Sequence, residues 1–326
     1  MNVDEAIAKI EDIPTLPTTL AEVLRTTSSE NGSVKELSQI IYSDQSLTTK
    51  ILKMANSSFY GFVHQIRSVD RAIVILGFDE VRAIAIAVSI FDSVYLRKGG
   101  VYYSRIRSWN HSLLCALGTR LLAGIFGKSK NLGPELFVGG LIHDIGKVFM
   151  DRYFPESFVK VLELVEETSL TMESAEREVF GFDHALLAGA LLRKWKFPEQ
   201  LTDIVMYHHH PELARANKGR IALICMADLM CHQLGYSTYT CEPRPSLRES
   251  FRSKMLTLAQ NEGELLTPRI LIASLRKLKE RTAEVDHLSR SLFPHECPEY
   301  PEHHANGKKL RDATKEASLE KGLASP

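Results

Sequence analysis

Apolar residues along the chain recur mostly at a spacing of three to four positions, and alternating strand-like runs are scarce. Two long stretches, 34–61 and 68–94, show this helical pattern, with breaks near Ser43–Asp44 and at Gly77. Ser43 or Asp44 is a suitable N-cap for the helix that follows. The pattern predicts further helices over 15–30, 109–122, 134–150, 155–167, 174–179, 184–194, 198–209, 218–234, 246–260 and 268–285. The sequence therefore predicts an all-α protein.

The composition divides the chain into three predicted parts. A stretch near 97–106 interrupts the helical pattern and separates an N-terminal helical part, 1–100, from a second helical part, 101–288. From about Ser289 the chain is rich in proline, charge and small residues, which bury little apolar surface. We therefore expect a flexible tail over 289–326.

Charge and cysteine usage narrow the class of protein. The 326 residues include 40 basic and 40 acidic side chains, so no net charge draws the chain to nucleic acid or to an acidic membrane. The start lacks a signal-peptide pattern, and the most apolar run is too short to span a bilayer. The 5 cysteines lack paired spacing, as is typical of reduced proteins. We expect a cytoplasmic protein that binds neither nucleic acid nor membranes.

Several polar side chains interrupt segments that are otherwise apolar. The stretch GGLIHDIGKVF carries His143, Asp144 and Lys147, and IALICMADLMC carries Asp228. Other such residues are His111, His184 and the run His208–His210. A single histidine of this kind is more often a hydrogen-bonded core residue, a lone aspartate can cap a helix, and Lys147 can be a solvated helix-end residue. A buried carboxylate nevertheless needs a partner or a metal.

Considered together, these residues favour a metal site. His143 and Asp144 are adjacent, so an ion between their directions can bind both, and Lys147 lies three to four positions further on. Lys147 can then contact an anion bound to that ion. Imidazole and carboxylate ligands suit zinc, iron, manganese or nickel. The residues therefore predict a divalent transition metal as the cofactor.

The motif HDIGK, with His111 before it and Asp228 after it, resembles the HD superfamily of metal-dependent phosphohydrolases. The resemblance implies a helical bundle in which His111, His143, Asp144 and Asp228 bind a metal. Relatives with two metals, including the HD-GYP phosphodiesterases, add further histidines that match His184 in FDHALLAGALL and His208 and His209 in YHHHP. The match to this pair could be shifted by one residue, so His210 remains an alternative ligand. The resemblance thus implies one or two divalent transition metals, and with two ions Asp144 would bridge them.

The first half is similar to the HDOD family, in the stretches IPTLPTTLAEVL, SDQSLTTKILKMANSSFYG and SVDRAIVILGF. The resemblance runs from Ile13 to Leu234 and implies an HD-like bundle with an N-terminal helical subdomain. Two features differ from the related families: Gln45 stands where the HDOD turn has proline, and the loop after YHHHP lacks GYP. HDOD domains typically act in signalling after losing metal ligands, whereas this chain keeps them.

The resemblance implies an HDOD-type signalling protein that is also a phosphohydrolase or phosphodiesterase for a nucleotide-like ester. Asp144 and Lys147 would be its catalytic residues, with Asp144 orienting a hydroxide and Lys147 neutralising phosphoryl oxygens. Expected partners are a nucleotide or cyclic dinucleotide and a signalling protein, which could bind the helices of 71–96. The alternatives are a non-catalytic sensor that binds metal or nucleotide, and a helical scaffold with a structural metal.

Overall fold

The computed structural model describes residues 2–10, 18–28, 33–95, 104–125, 129–168, 170–243 and 267–292. Within these ranges the regular structure is helical, and no strand occurs, which confirms the all-α prediction. A short 3₁₀ helix covers Pro211–Leu213. The α-helices, numbered in chain order, are α1 Val3–Lys9, α2 Thr18–Ser28, α3 Val34–Tyr42, α4 Gln45–Ala55, α5 Val69–Leu76, α6 Phe78–Tyr95, α7 Arg105–Ile125, α8 Ser129–Ile142, α9 Ile145–Tyr153, α10 Pro155–Thr168, α11 Met172–Phe180, α12 His184–Lys194, α13 Glu199–Met206, α14 Lys218–Gln233, α15 Pro268–Glu280 and α16 Thr282–Leu292.

Local capping chemistry explains where many of these helices begin and end. The Asp44 side chain accepts a hydrogen bond from the Leu47 N–H at 2.9 Å and so starts α4, as the sequence predicts. Gly77 ends α5 with a φ of 98°, a conformation that favours glycine. The Asp183 side chain accepts from the Leu186 N–H and makes His184 the first residue of α12. Capping thus positions one predicted ligand directly.

Two predicted helices end earlier than the apolar pattern indicates. The segment 134–150 is not one helix, because α8 ends at Ile142 and α9 begins at Ile145. The His143 ring donates from Nδ1 to the Gly140 carbonyl at 2.8 Å, which satisfies a carbonyl in the last turn of α8. Likewise α13 ends at Met206 rather than at 209, and His208 Nδ1 donates to Val205 O at 2.7 Å. Both histidines therefore lie in turns.

Helix α7 lies at the centre of the fold and packs against α8, α14, α15 and α16. Its residues 111–119 are all buried, as are residues 221–228 of α14. Helices α2 to α6 pack on one another, α6 also packs on α8 of the second half, and α1 packs on α12. Buried apolar residues from α1 to α16 form one continuous cluster. The core therefore includes both of the helical parts that the sequence predicts.

Some sequence predictions fall partly or wholly outside the described residues. The predicted helix at 246–260 lies outside them, as do most of the predicted seam at 97–106 and the tail after Leu292. Helix α16 continues to Leu292, four residues beyond the predicted end of the second part at 288. The segment 268–285, predicted as one helix, contains a break after Glu280. None of the described helices is long and apolar enough to cross a membrane.

Candidate metal centre

The predicted ligands converge at one buried place between α7, α9, α12, α13 and α14. Their ligand atoms form two sets, and the atoms of each set lie within 4.8 Å of one another. The first set is His111, His143 and Asp228, and the second is Asp144, His184, His208 and His209. The structure thus brings together all seven side chains that the sequence predicts as ligands.

In the first set, two imidazoles and a carboxylate meet at short range. The Nε2 atoms of His111 and His143 are 3.1 Å apart. Asp228 Oδ1 lies 3.3 Å from His111 Nε2 and 3.6 Å from His143 Nε2. His111 comes from the central helix α7 and Asp228 from α14, which pack directly on each other. The tight packing of these two helices therefore determines the shape of this set.

In the second set, the imidazoles surround one oxygen of Asp144. Asp144 Oδ1 is 3.1 Å from His184 Nε2 and 3.9 Å from His208 Nε2, and His209 Nε2 is 2.9 Å from His184 Nε2. The other oxygen, Oδ2, lies 3.3 Å from His111 Nε2 in the first set. Oδ1 is also 3.6 Å from His143 Nε2 of the first set, so Asp144 stands between the two sets and contacts both.

The outer nitrogens of the rings determine how the inner nitrogens point. In three rings Nδ1 donates to a backbone carbonyl oxygen: His111 to Tyr236 at 2.9 Å, His143 to Gly140 at 2.8 Å and His208 to Val205 at 2.7 Å. Because a carbonyl oxygen only accepts, the ring proton is on Nδ1 and each neutral ring keeps a lone pair on Nε2. His184 Nδ1 instead pairs with the Glu176 carboxylate at 2.6 Å. This arrangement is typical of histidines that bind metals.

The donor set fits a cation. If both rings were neutral, His111 and His143 would direct two lone pairs at each other, and a positive charge between them, from a proton or a metal ion, removes that repulsion. His208 Nε2 and Asp228 Oδ1 are buried and have no hydrogen-bond partner among the described residues. Buried polar atoms without a partner are rare and costly. An ion in each set would satisfy these atoms, so the residues present fit a metal centre.

The pKa shifts in the cluster show the same preference for a positive charge, which a proton on His143 or a bound metal ion can supply. Burial alone would raise the pKa of Asp144, but Lys147 and the neighbouring histidines hold it well below its ordinary value. Burial opposes a charge on His143, yet Asp144, together with Cys115 and Asp228, outweighs it and raises the pKa of His143 to about 10. Burial, together with positive charge at His143 and His184, lowers the pKa of His208 to about 3. The cluster therefore favours positive charge beside its carboxylates and keeps the His208 ring unprotonated.

Lys147 is buried and paired within the site. Its Nζ donates to Asp144 Oδ2 at 2.9 Å and to Glu242 Oε2 at 3.0 Å, and 2% of the residue is exposed. The alternative of a solvated helix-end residue is therefore wrong. Thr238 Oγ1 also donates to Asp144 Oδ2, at 3.0 Å. In this arrangement Lys147 holds the Asp144 carboxylate in place, and its contact with a phosphoryl oxygen stays a prediction.

The structure adds residues that the sequence analysis did not single out. Glu242 and Thr238 lie in the loop 234–243, which covers the cluster and shows no periodic pattern. His232 Nε2 lies 3.4 Å from Asp228 Oδ1 and 3.6 Å from Glu242 Oε2. Glu176 on α11 has the spacing of an ordinary amphipathic helix, so its burial against His184 gives no local signal. His232 is the exception, because it follows Asp228 by one helical turn.

His210 lies apart from the two sets. Its Nε2 is 3.3 Å from Glu173 Oε1 and its Nδ1 is 3.1 Å from Glu212 Oε1. His209, by contrast, directs Nδ1 toward Glu173 Oε2 at 3.3 Å and Nε2 toward His184. The structure therefore places the pair His208 and His209 in the cluster and His210 at its edge.

Comparison with known proteins identifies the family. A family model of the HDOD domain matches residues 13–211. The chain belongs to the HDOD family. An uncharacterized protein of Treponema pallidum (strain Nichols) is 25% identical over 265 residues, which are 79% of this chain and 48% of that protein. The chain thus spans about half the length of this curated relative.

Solved structures agree with the assignment. An HDOD domain protein of unknown function from Geobacter sulfurreducens is 25% identical and superposes with a TM-score of 0.76, over 89% of this chain and 97% of that one. A candidate phosphohydrolase from Shewanella amazonensis SB2B is 21% identical, with a TM-score of 0.68 over 88% and 97% of the two chains. The second likeness shows a shared fold. The HDOD resemblance and the HD-like helical fold are therefore confirmed.

Proposed function

We propose that this HDOD protein binds two divalent transition-metal ions and hydrolyses a nucleotide-like phosphate ester as part of signalling. The convergence of two ligand sets on the two oxygens of one buried carboxylate, Asp144, carries the proposal. Nitrogen and oxygen ligands without sulfur suit iron, manganese, zinc or nickel. The phosphohydrolase description of the Shewanella protein, which shares the fold, agrees with this activity.

Different residues of the chain would have different roles in such a site. Bound ions would supply Lewis-acid activation of the phosphate and of a water molecule. Asp144 positions the two ligand sets relative to each other, and Lys147 and Thr238 hold the Asp144 carboxylate in place by hydrogen bonds. Backbone carbonyls and Glu176 fix the ring orientations, so little reorganisation accompanies binding. Lys147, as the ammonium nearest Asp144, is the residue that we propose to neutralise charge on the phosphoryl oxygens.

Elemental analysis of Asp144→Asn and of the wild type tests the metal centre. The wild type, grown with added iron or manganese, should carry one to two equivalents of metal, and Asp144→Asn should carry much less because both sets share this carboxylate. Asp203→Asn makes the same chemical change on α13 and should leave the metal content intact. Equal metal content in all three proteins, or none in the wild type, would remove the proposal.

A second candidate, the non-catalytic sensor, has its own supporting observation. Six of the seven candidate ligands are buried, and the Lys147 ammonium is paired with Glu242. A metal-loaded protein that hydrolyses none of p-nitrophenyl phosphate, 5′-AMP and cyclic di-AMP, yet is stabilised against heat by one of the nucleotides, would support the sensor. Turnover that is lost in Asp144→Asn would support the hydrolase.

A further inference from the structure

The metal centre approaches the surface at one of its ligands, His209. The side chains of His111, His143, His184 and His208 are fully buried, whereas 20% of the His209 side chain is exposed. His209 also lines a cavity of about 200 Å³ between the start of α12, the end of α13 and the 3₁₀ helix. A ligand in this cavity would therefore lie beside the metal-facing ring of His209.

Apolar side chains form much of the cavity wall. Phe182, Leu186, Met206 and Leu213 line it, and Leu186 and Leu213 are 37% and 65% exposed. Large apolar groups left exposed around a concavity favour contact with an apolar surface of a ligand. The wall is therefore suited to the face of a planar ring.

The charged groups at the cavity are paired with one another. Arg177 donates to Asp183 Oδ2 from Nε at 2.8 Å and from Nη2 at 2.6 Å. His210 lies between Glu212 and Glu173, at 3.1 and 3.3 Å. Side chains that are already paired in this way attract a phosphate group only weakly. The part of a ligand that enters this cavity should therefore be uncharged and should carry no phosphate.

The size of the cavity limits the ligand further. At about 200 Å³ it is smaller than the roughly 300–1,000 Å³ of sites for drug-sized ligands, so it holds about one ring system. A cyclic dinucleotide carries two nucleosides and would leave one of them outside. We propose that this cavity binds the base of a mononucleotide whose phosphate reaches the metal centre beside His209. This inference rests on the proposed function and narrows its substrate class.

Calorimetric titration of the full chain with adenosine, 5′-AMP, inorganic phosphate and cyclic di-AMP tests the proposal. The test variant is Leu213→Asp, which places a charge on the exposed rim without removing core volume. Val74→Asp on α5 is the matched control, since Val74 is 71% exposed and Leu213 is 65% exposed. Leu213→Asp should bind adenosine and 5′-AMP about tenfold more weakly, with phosphate binding and metal content unchanged. A tenfold change in affinity corresponds to about 1.4 kcal/mol, which is close to the free energy gained when an apolar side chain is buried.

The measurements separate the cavity from the metal centre. Adenosine binding that Leu213→Asp weakens and Val74→Asp does not would support the cavity, even if the protein proved to hold no metal and the proposed function failed. A metal-loaded, active protein in which Leu213→Asp binds adenosine and 5′-AMP as the wild type does would overturn the cavity alone. Tighter binding of cyclic di-AMP than of 5′-AMP would overturn it as well.

Discussion

Gly146 in the HDIGK motif offers a sharp test of how the candidate metal centre is assembled. It lies in the first turn of α9, where a Cβ would stand 2.0 Å from the backbone oxygen of His184 and 2.8 Å from the carbonyl carbon. The obstacle is backbone, which cannot rotate away as a flexible side chain does. Gly146→Ala must therefore move the start of α12 away from α9.

The size of the movement follows from the contact distance. An ordinary carbon–oxygen contact is about 3.3 Å, so the two helices must separate by roughly 1.3 Å at this point. Overpacking costs about 1–3 kcal/mol, and the rigid obstacle places this case near 3 kcal/mol. The alanine recovers about 0.5–1 kcal/mol of helix propensity, which leaves a net loss of about 2 kcal/mol in the free energy of unfolding. The same shift should increase the distance between His184 Nε2 and Asp144 Oδ1, which is 3.1 Å in the wild type.

Urea denaturation and elemental analysis measure the two consequences. Gly146→Ala should unfold at lower urea than the wild type and lose metal from the set that contains His184. Gly124→Ala is the matched control on α7, because nothing lies within 4 Å of its Cβ position. That variant should gain about 0.5–1 kcal/mol and keep its metal. A Gly146→Ala protein as stable and as rich in metal as Gly124→Ala would refute the reasoning.

Three further substitutions test the surroundings of the ligands. Glu242→Ala removes one of the two carboxylates that hold the buried Lys147 ammonium. The free energy of unfolding, measured by urea denaturation, should therefore fall by about 3 kcal/mol. An unchanged free energy of unfolding would contradict the pairing. Glu176→Gln keeps an acceptor for His184 but removes the charge, and metal affinity should fall about 10- to 100-fold in competition with a chelator. His210→Ala should keep the wild-type metal content, and a loss of metal would show that it is a ligand.

Much of the fold could be predicted because the features that specify helices are local in the sequence. The helical period, the cap at Asp44 and the break at Gly77 predict elements that the structure contains. The helix ends near His143 and His208 could not be predicted in this way. In both segments the apolar pattern continues, and the helix stops where the imidazole bonds a carbonyl of the last turn.

The candidate ligands could be proposed from sequence, whereas their supporting residues could not. A carboxylate such as Asp228 inside an apolar helix is conspicuous, because its burial needs a partner. Glu176 and Glu242 lie in an amphipathic helix and an irregular loop, where an acidic residue is ordinary. Their burial, and the pairing of Lys147 with Glu242, depends on elements distant in sequence that pack over them.

By itself the sequence determined the helical class, the HDOD resemblance and the candidate metal ligands, since periodicity and residue chemistry are local properties. Only the tertiary structure decided that His208 and His209 join the cluster while His210 turns to Glu173, that the ligands divide into two sets about Asp144, and that His209 borders a cavity. These features depend on distances between helices, which result from close packing of the whole core and which no single segment specifies.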